Sequence, residues 1–387
     1  MLGLYVHVPF CSAICNYCNF NRGLFDAGLK SRYVAALTTE IKRAVSYADA
    51  ASPTEALRAS LTTSADTIYF GGGTPSLLEP DEVAGIVAAC EETFNVSSDR
   101  EVTLEANPES VTVDRLAAYR TAGVNRLSIG VQSVRDDELR RLTRMHDAAR
   151  ARAAFGAARA AGFDNISIDL MMWLPAQRVE DWLESVSGAI ALAPDHLSLY
   201  LLEVYPNAPL REEMARARWS QAPDEDAESM YVTAMERLEA AGYEQYEISN
   251  VARPGYRSRH NLKYWSDGEW LGFGCGAHST RAGVRWKNVA GTEDYVARIT
   301  AGQSASCEAR ALQPDDRLGE ALFTGLRLTD GVDTADIRTR YGVDVWARYG
   351  RDLDPFIEAG ILRREGTRLW LTRQGMLVAH EVMAVFV

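Results

Sequence analysis

Apolar and polar positions alternate from the start of the chain: Leu4, Val6 and Val8 interleave with Gly3, Tyr5 and His7 before Pro9. A two-residue period predicts a strand over Gly3–Val8. Short β-branched runs predict five more, at Thr67–Gly71, Glu101–Glu105, Arg126–Val131, Asn165–Leu170 and His196–Glu203. Between them lie amphipathic stretches with a helical period: Leu29–Ser46, Glu79–Phe94, Thr112–Ala122, Asp136–Leu142 with Ala148–Ala161, and Val179–Leu192. Ser110-Val-Thr112-Val-Asp114 is a helix-start pattern, and Gly123 and Gly162 stand where C-terminal caps are expected. Alternation of this kind means βα units on a parallel sheet, hence an α/β fold. Six units are enough for a partial (β/α)6 barrel.

From Asp224 the rhythm changes. A helix through Ala241 leads to Gln245–Asn250 and then to an aromatic- and glycine-rich stretch from Tyr256 to Ser279. After Ala309 come helical patterns at Pro314–Leu326, Thr334–Tyr341 and Trp346–Ala359. Leu362-Arg-Arg, Gly366, Leu369-Trp-Leu-Thr and a last helix from Arg373 follow, an order like that of a winged helix. The expected division is residues 1–210 as the barrel, 211–307 as an α+β extension and 308–387 as a winged-helix-like tail. Ala50–Ser64 reads as a surface insertion.

Composition narrows the choices. Apolar residues make up 47% and charged residues 24%, as in a soluble protein with a real core. No run of about 18 apolar residues is present, which excludes a transmembrane helix. With 41 basic against 53 acidic residues the net charge is −12, and the tail has no dense basic helix. A duplex-binding face needs the opposite balance, so no nucleic-acid partner is expected. A strand beginning almost at Met1 leaves no secretory leader, and the expected location is cytoplasmic. In a reducing compartment six cysteines are no disulfide framework, and three of them stand together as Cys11, Cys15 and Cys18.

Thiolates suit iron–sulfur clusters or zinc. Structural zinc wants four ligands, commonly as two separated pairs. Here no second pair exists, and His7 would have to be the fourth ligand from within a strand. Three thiolates on a cubane leave one iron open, as a catalytic cluster needs. Polar residues also recur at successive predicted strand ends: Gly71-Gly72-Gly73-Thr74-Pro75 after the second, Glu105 at the third, Gln132 after the fourth, with Arg144 and His146 further on, and Asp169 at the fifth. Each alone fits a solvated strand end or a tight turn. Several in succession fit the face where βα arrays carry their sites.

Cys11-x-x-x-Cys15-x-x-Cys18, with Tyr17 before the third cysteine, resembles the motif of the radical S-adenosylmethionine superfamily. Across nearly the whole chain the strings resemble one family in it, oxygen-independent coproporphyrinogen III oxidase and its relatives. That resemblance implies a radical S-adenosylmethionine partial barrel. Cys11, Cys15 and Cys18 would hold a 4Fe–4S cluster whose open iron is chelated by the cofactor. Tyr5, Gly72, Gly73, Thr74, Glu105, Gln132, Arg144 and Asp169 would line the S-adenosylmethionine site, with Tyr17 on the adenine. Gly72 and Gly73 would let the backbone approach the cofactor without a Cβ in the way.

Three features separate the branches. The oxidase pattern carries a fourth cysteine where this chain has Phe20; only ten residues precede Cys11; and His260-Asn-Leu-Lys-Tyr264-Trp265 matches the His-Asn-x-x-Tyr-Trp signature of the haem-chaperone branch. All three favour that branch. The resemblance then implies a chaperone that binds haem and passes it to an acceptor protein, possibly membrane-bound, with flavodoxin or ferredoxin as electron donor. His260 is the candidate haem ligand and His278 a second. A radical enzyme acting on coproporphyrinogen, or a radical methyltransferase or cyclopropanase, stands as the alternative. The chain departs from the family at Thr143, Trp173 and Ala176, where glycine is usual, which bears on the shape of the pocket.

Overall fold

The computed structural model describes residues 1–51 and 64–387, with side chains outside 45–63. The insertion expected over Ala50–Ser64 lies almost wholly outside the described residues. Six parallel strands form the N-terminal half: β1 (Leu2–Val8), β2 (Ala65–Gly72), β3 (Val96–Ala106), β4 (Arg126–Gln132), β5 (Ile166–Met172) and β6 (His196–Leu201). Helices α1 (Ala27–Ala51), α2 (Pro80–Thr93), α3 (Val113–Thr121), α4 (Asp136–Arg141), α5 (Ala148–Ala160) and α6 (Val179–Leu192) connect them. The expected strands and helices are all present. The Thr112 hydroxyl caps α3 by accepting from Arg115 N at 3.3 Å, and Gly123 and Gly162 follow α3 and α5 with φ of 100° and 86°.

The two faces of the sheet differ in chemistry. Leu2, Leu4, Val6 and Val8 of β1 are buried in one hydrophobic core with Tyr33, Leu37 and Ile41 of α1. The opposite face is polar: Tyr5 pairs with Tyr69, Tyr69 with Thr103 and Thr103 with Arg126, while Ser128, Ser167 and His196 form another row. Buried polar groups need partners. His196 has two, the Ser167 and Tyr246 hydroxyls, each at 2.8 Å.

Beyond β6 come α7 (Pro209–Ala217), α8 (Asp224–Ala240), β7 (Glu244–Glu247) and β8 (Asn250–Ala252), with β8 antiparallel to β6. Then α9 (Arg259–Trp265) leads to β9 (Trp270–Phe273), β10 (His278–Arg281), β11 (Val284–Asn288), α10 (Thr292–Thr300) and β12 (Ser306–Ala311). The stretch that looked merely aromatic and glycine-rich thus supplies β9, which lies parallel beside β1. The sheet order is β12-β11-β10-β9-β1-β2-β3-β4-β5-β6-β8-β7, and its two ends do not pair with each other.

The tail comprises α11 (Pro314–Gly325), β13 (Val332–Asp333), α12 (Thr334–Tyr341), α13 (Val345–Glu358), β14 (Leu362–Glu365), β15 (Arg368–Leu371), α14 (Arg373–Leu377) and α15 (Ala379–Met383). Its strands form a small sheet in the order β13-β15-β14, the winged-helix-like arrangement expected. Among the described residues no helix is long and apolar enough to cross a membrane.

Candidate cofactor site

The loop after β1 carries the cysteines and is strapped down at both sides. Gly73 N donates to Val8 O at 2.7 Å and Thr74 N to Phe10 O at 2.8 Å, joining the end of β2 to the start of the loop. Asn16 N donates to Thr143 Oγ1 at 3.0 Å, and its side-chain amide donates to Arg141 O at 2.8 Å and Glu213 Oε2 at 2.6 Å. The Asn21 amide donates to Cys275 O and Ala290 O, each at 3.1 Å.

Cys11, Cys15 and Cys18 line one cavity of about 430 Å³ together with Tyr17, Gly72, Gly73, Thr74, Glu105, Gln132, Arg144 and Asp169. The cysteines and Tyr17 come from the loop after β1 and Arg144 from the turn after α4, while the rest come from β2, β3, β4 and β5 or the residues just after them, and Tyr200 of β6 completes the wall. In a flat sheet β2 and β6 would stand about 19 Å apart, at roughly 4.8 Å per strand. A single cavity touching all five strands therefore requires the sheet to curl around it.

The two ends of the cavity differ in charge. At the thiol end, Thr74 Oγ1 donates to Cys11 Sγ at 3.6 Å and Arg144 Nη1 to Cys15 Sγ at 3.5 Å. Burial raises the Cys11 thiol, and the Thr74 bond opposes that shift. Arg144 is held by Asn107 Oδ1 at 2.8 Å and Gly130 O at 3.0 Å. The inner end is acidic. Burial, reinforced by the nearby Asp169 charge, pushes the Glu105 carboxyl up to about 7 against the hydrogen bonds from Tyr69 OH (2.7 Å) and Gly72 N (3.2 Å). Burial raises Asp169 too, although Ser128 Oγ donates to it at 3.0 Å.

The zinc alternative needed His7 as a ligand, and the structure leaves His7 no free nitrogen: Nε2 meets Asn21 O at 2.7 Å and Nδ1 meets Tyr5 OH at 3.1 Å. Among the described residues, no three His, Cys, Asp or Glu side chains are grouped so as to hold a single ion. Three thiols on one wall, met by a cation and a hydroxyl, fit the larger anionic cluster better.

The glycines act differently from expectation. A Cβ on Gly72, which has φ of 114°, would lie 2.5 Å from His7 Cε1, and one on Gly73 would lie 2.7 Å from Phe10 O. Their missing side chains make room for the protein's own β1 and cysteine loop, so that no ligand is needed to explain them.

Two of the expected residues do not reach the cavity. Tyr5 lies beneath the wall, stacked on Tyr69 at 6.2 Å between ring centres. His260 is 1% exposed, and both of its nitrogens are engaged, Nδ1 with Thr67 Oγ1 at 2.8 Å and Nε2 with Tyr264 OH at 2.9 Å. Burial, with Lys263 nearby, lowers its pKa to about 3. In this geometry His260 is a neutral clasp that pins α9 to β2, not an open ligand.

The three departures from glycine share one property. Thr143, Trp173 and Ala176 have φ of 52°, 61° and 56°, in the left-handed region that favours glycine. Gln132 is there too, with φ of 66°. Tertiary bonds offset the strain at two of them: the Thr143 hydroxyl anchors Asn16, and Trp173 Nε1 donates to Ala222 O at 2.7 Å.

Sequence reasoning overlooked Asn16, Arg22 and Asn107. Arg22 lines the cavity and its Nη2 reaches Cys18 O at 2.5 Å. Asn107 stands two residues after Glu105 in Glu105-Ala-Asn-Pro, a strand-end string that held the clue. Asn16 had no comparable signal, since its partners lie more than a hundred residues away. Around the mouth Phe20 (69% exposed), Ile14 (42%) and Tyr205 (39%) form an apolar rim.

Comparison with known proteins agrees with this geometry. Residues 5–187 match the radical SAM superfamily and residues 312–378 the HemN C-terminal domain. The heme chaperone HemW of Bacillus subtilis is 34% identical, over 100% of this chain and 99% of its own length. That of Mycobacterium tuberculosis is 36% identical over 98% of this chain and 93% of its own length. The coproporphyrinogen III oxidase HemN of Escherichia coli, at 24% identity, has the same fold, with a TM-score of 0.85 covering 100% of this chain and 89% of that one. With its cysteine-lined cavity inside a curled parallel sheet and this similarity from end to end, the chain belongs to the HemW family of radical SAM proteins.

Proposed function

We propose that the protein is a haem chaperone: it binds haem, carries a 4Fe–4S cluster and S-adenosylmethionine in the cavity, and passes haem to an acceptor protein. The observation that carries this reading is the end-to-end similarity to proteins named heme chaperone HemW. The exposed Phe20, where the oxidase pattern has a cysteine, supports it. Cys11, Cys15 and Cys18 would hold the cluster; Gly72, Gly73, Thr74, Glu105, Gln132, Arg144 and Asp169 would surround the cofactor, with Tyr17 against its adenine and Tyr5 behind. When bound, the cluster and cofactor supply one-electron chemistry at a carbon–sulfur bond. The chain's own part is to set Thr74 Oγ1 and Arg144 Nη1 against the Cys11 and Cys15 sulfurs and to present Glu105 and Asp169 at the inner end. The reading extends to a cytoplasmic location, a membrane-bound acceptor, flavodoxin or ferredoxin as donor, and the division at residues 210 and 307.

A second reading is favoured by the apolar rim of Ile14, Phe20 and Tyr205, which suits an organic substrate above the cavity. One assay separates the two. Anaerobically reconstituted protein with S-adenosylmethionine, a reductant and coproporphyrinogen III should yield no vinyl-bearing product. Loss of propionate carboxyls at catalytic turnover would make it an oxidase instead.

A further inference from the structure

We propose that haem docks on strands β9–β12, on the face that continues the polar side of β1, with His278 as its axial nitrogen and Trp270 as its wall; this rests on the haem-binding reading above.

The chain has six histidines. Four are spent inside the protein. His7, His196 and His260 have both ring nitrogens engaged, and His146 is buried with Nε2 on Val131 O at 3.1 Å and Nδ1 3.4 Å from Glu109. His380 is exposed but stands beside Glu381, also exposed, on the five-residue helix α15, where a carboxylate opposes the propionates. His278 is exposed and has a built neighbourhood.

Cross-strand pairing supplies that neighbourhood. His278 pairs with Lys287, and Lys287 with Cys307; Thr280 pairs with Trp270 and Arg285, and Arg285 with Arg310. Directly paired residues share a face, so all of these project to one side. The alternate residues Ser279, Arg281 and Asn288 are buried on the other side. On the face shared with Gly3 and Tyr5 an imidazole and an indole therefore stand among three cations. Lys287 pairs with Glu308 at 2.8 Å and Arg285 with Glu320 at 2.7 Å, while Arg310 makes no ion pair among the described residues. Two of the three cations are thus already met by Glu308 and Glu320, and Arg310 is a local match for one propionate, with Lys287 beside it.

Trp270 is fixed by its Nε1, which donates to His278 O at 3.0 Å, and by Tyr264, packed edge-on at 4.7 Å. The His260–Trp265 string thus contributes through Tyr264 as a buttress, while His260 only clasps α9. Partial burial, together with the Lys287 and Arg285 charges, lowers the His278 pKa and keeps the imidazole in the neutral form that binds iron.

The test is haem titration of the full chain, followed by Soret absorbance and the spectroscopic signature of imidazole–iron coordination. His278→Ala, a surface change, should weaken uptake roughly tenfold or more and abolish that signature, with added imidazole restoring it. Cys307→Ala should leave both intact. Wild-type affinity and spectrum in His278→Ala would overturn the assignment, as would loss of the signature in Cys307→Ala alone. A wild-type chain that takes up no haem would overturn the reading beneath it, and the assignment with it.

Discussion

The Thr143 hydroxyl accepts a hydrogen bond from Asn16 N at 3.0 Å, tying the turn after α4 to the backbone beside Cys15. The bond explains why a strained residue stands at φ of 52°. A glycine there would relax the backbone by about 1 kcal/mol but would leave the cysteine loop without its anchor.

Thr143→Val keeps the shape and removes the acceptor. It should cost about 1–3 kcal/mol at the loop, because Asn16 N is left unpaired in a partly buried place. Iron and sulfide content after anaerobic reconstitution should fall, and the cluster should decay faster in air. Unchanged cluster content and decay would show that the bond does not hold the loop.

Ala176 also sits in the left-handed region, with φ of 56°, but its side chain is exposed. Ala176→Gly should therefore stabilise the protein, by about 0.5–1 kcal/mol after the greater entropy of the unfolded glycine is counted. Thermal unfolding of the two proteins side by side is the check, and a lower midpoint in the variant would refute the strain argument.

Tyr264 supplies the hydroxyl on His260 Nε2 at 2.9 Å. Tyr264→Phe keeps the ring against Trp270 and strands a buried imidazole nitrogen. Stability should drop by about 1–3 kcal/mol, measured by denaturant unfolding, with haem uptake retained. Loss of haem binding at unchanged stability would instead mark this clasp as the ligand site.

Glu40 is buried and accepts from Tyr295 OH at 2.6 Å, Gly274 N at 2.8 Å and Asn288 Nδ2 at 2.6 Å. Burial outweighs these bonds and pushes its carboxyl from 4.5 up to about 7. A raised carboxyl favours the protonated folded state. Its contribution is fully present below 4.5 and is lost as pH rises through about 7. Glu105 is shifted the same way. Thermal stability should therefore fall between pH 5 and 7.5 by a slope that is shallower in Glu40→Gln, roughly one proton's worth. Identical slopes in the two proteins would contradict this.

The parallel array was legible because each strand is a local pattern, and Leu4, Val6 and Val8 announce both a strand and its buried face. The cysteine triplet was legible because its ligands lie within eight residues of one another. What lay hidden depends on distant pairing. Nothing around Trp270–Phe273 says that it will lie against β1, since four residues containing a glycine give no clear period. The burial of His260 was hidden for the same reason: its partners Thr67 and Glu101 come from β2 and β3. By contrast, the unusual residues at Thr143, Trp173 and Ala176 stood out in sequence, and the structure gives them a common cause in positive φ.

A haem chaperone binds haem stoichiometrically as cargo. The decisive measurement is a haem titration of anaerobically reconstituted protein, followed at the Soret band. The curve should saturate near one haem per chain, and the haem should stay with the protein through gel filtration. A linear, non-saturating rise, with haem lost on the column, would contradict the chaperone reading.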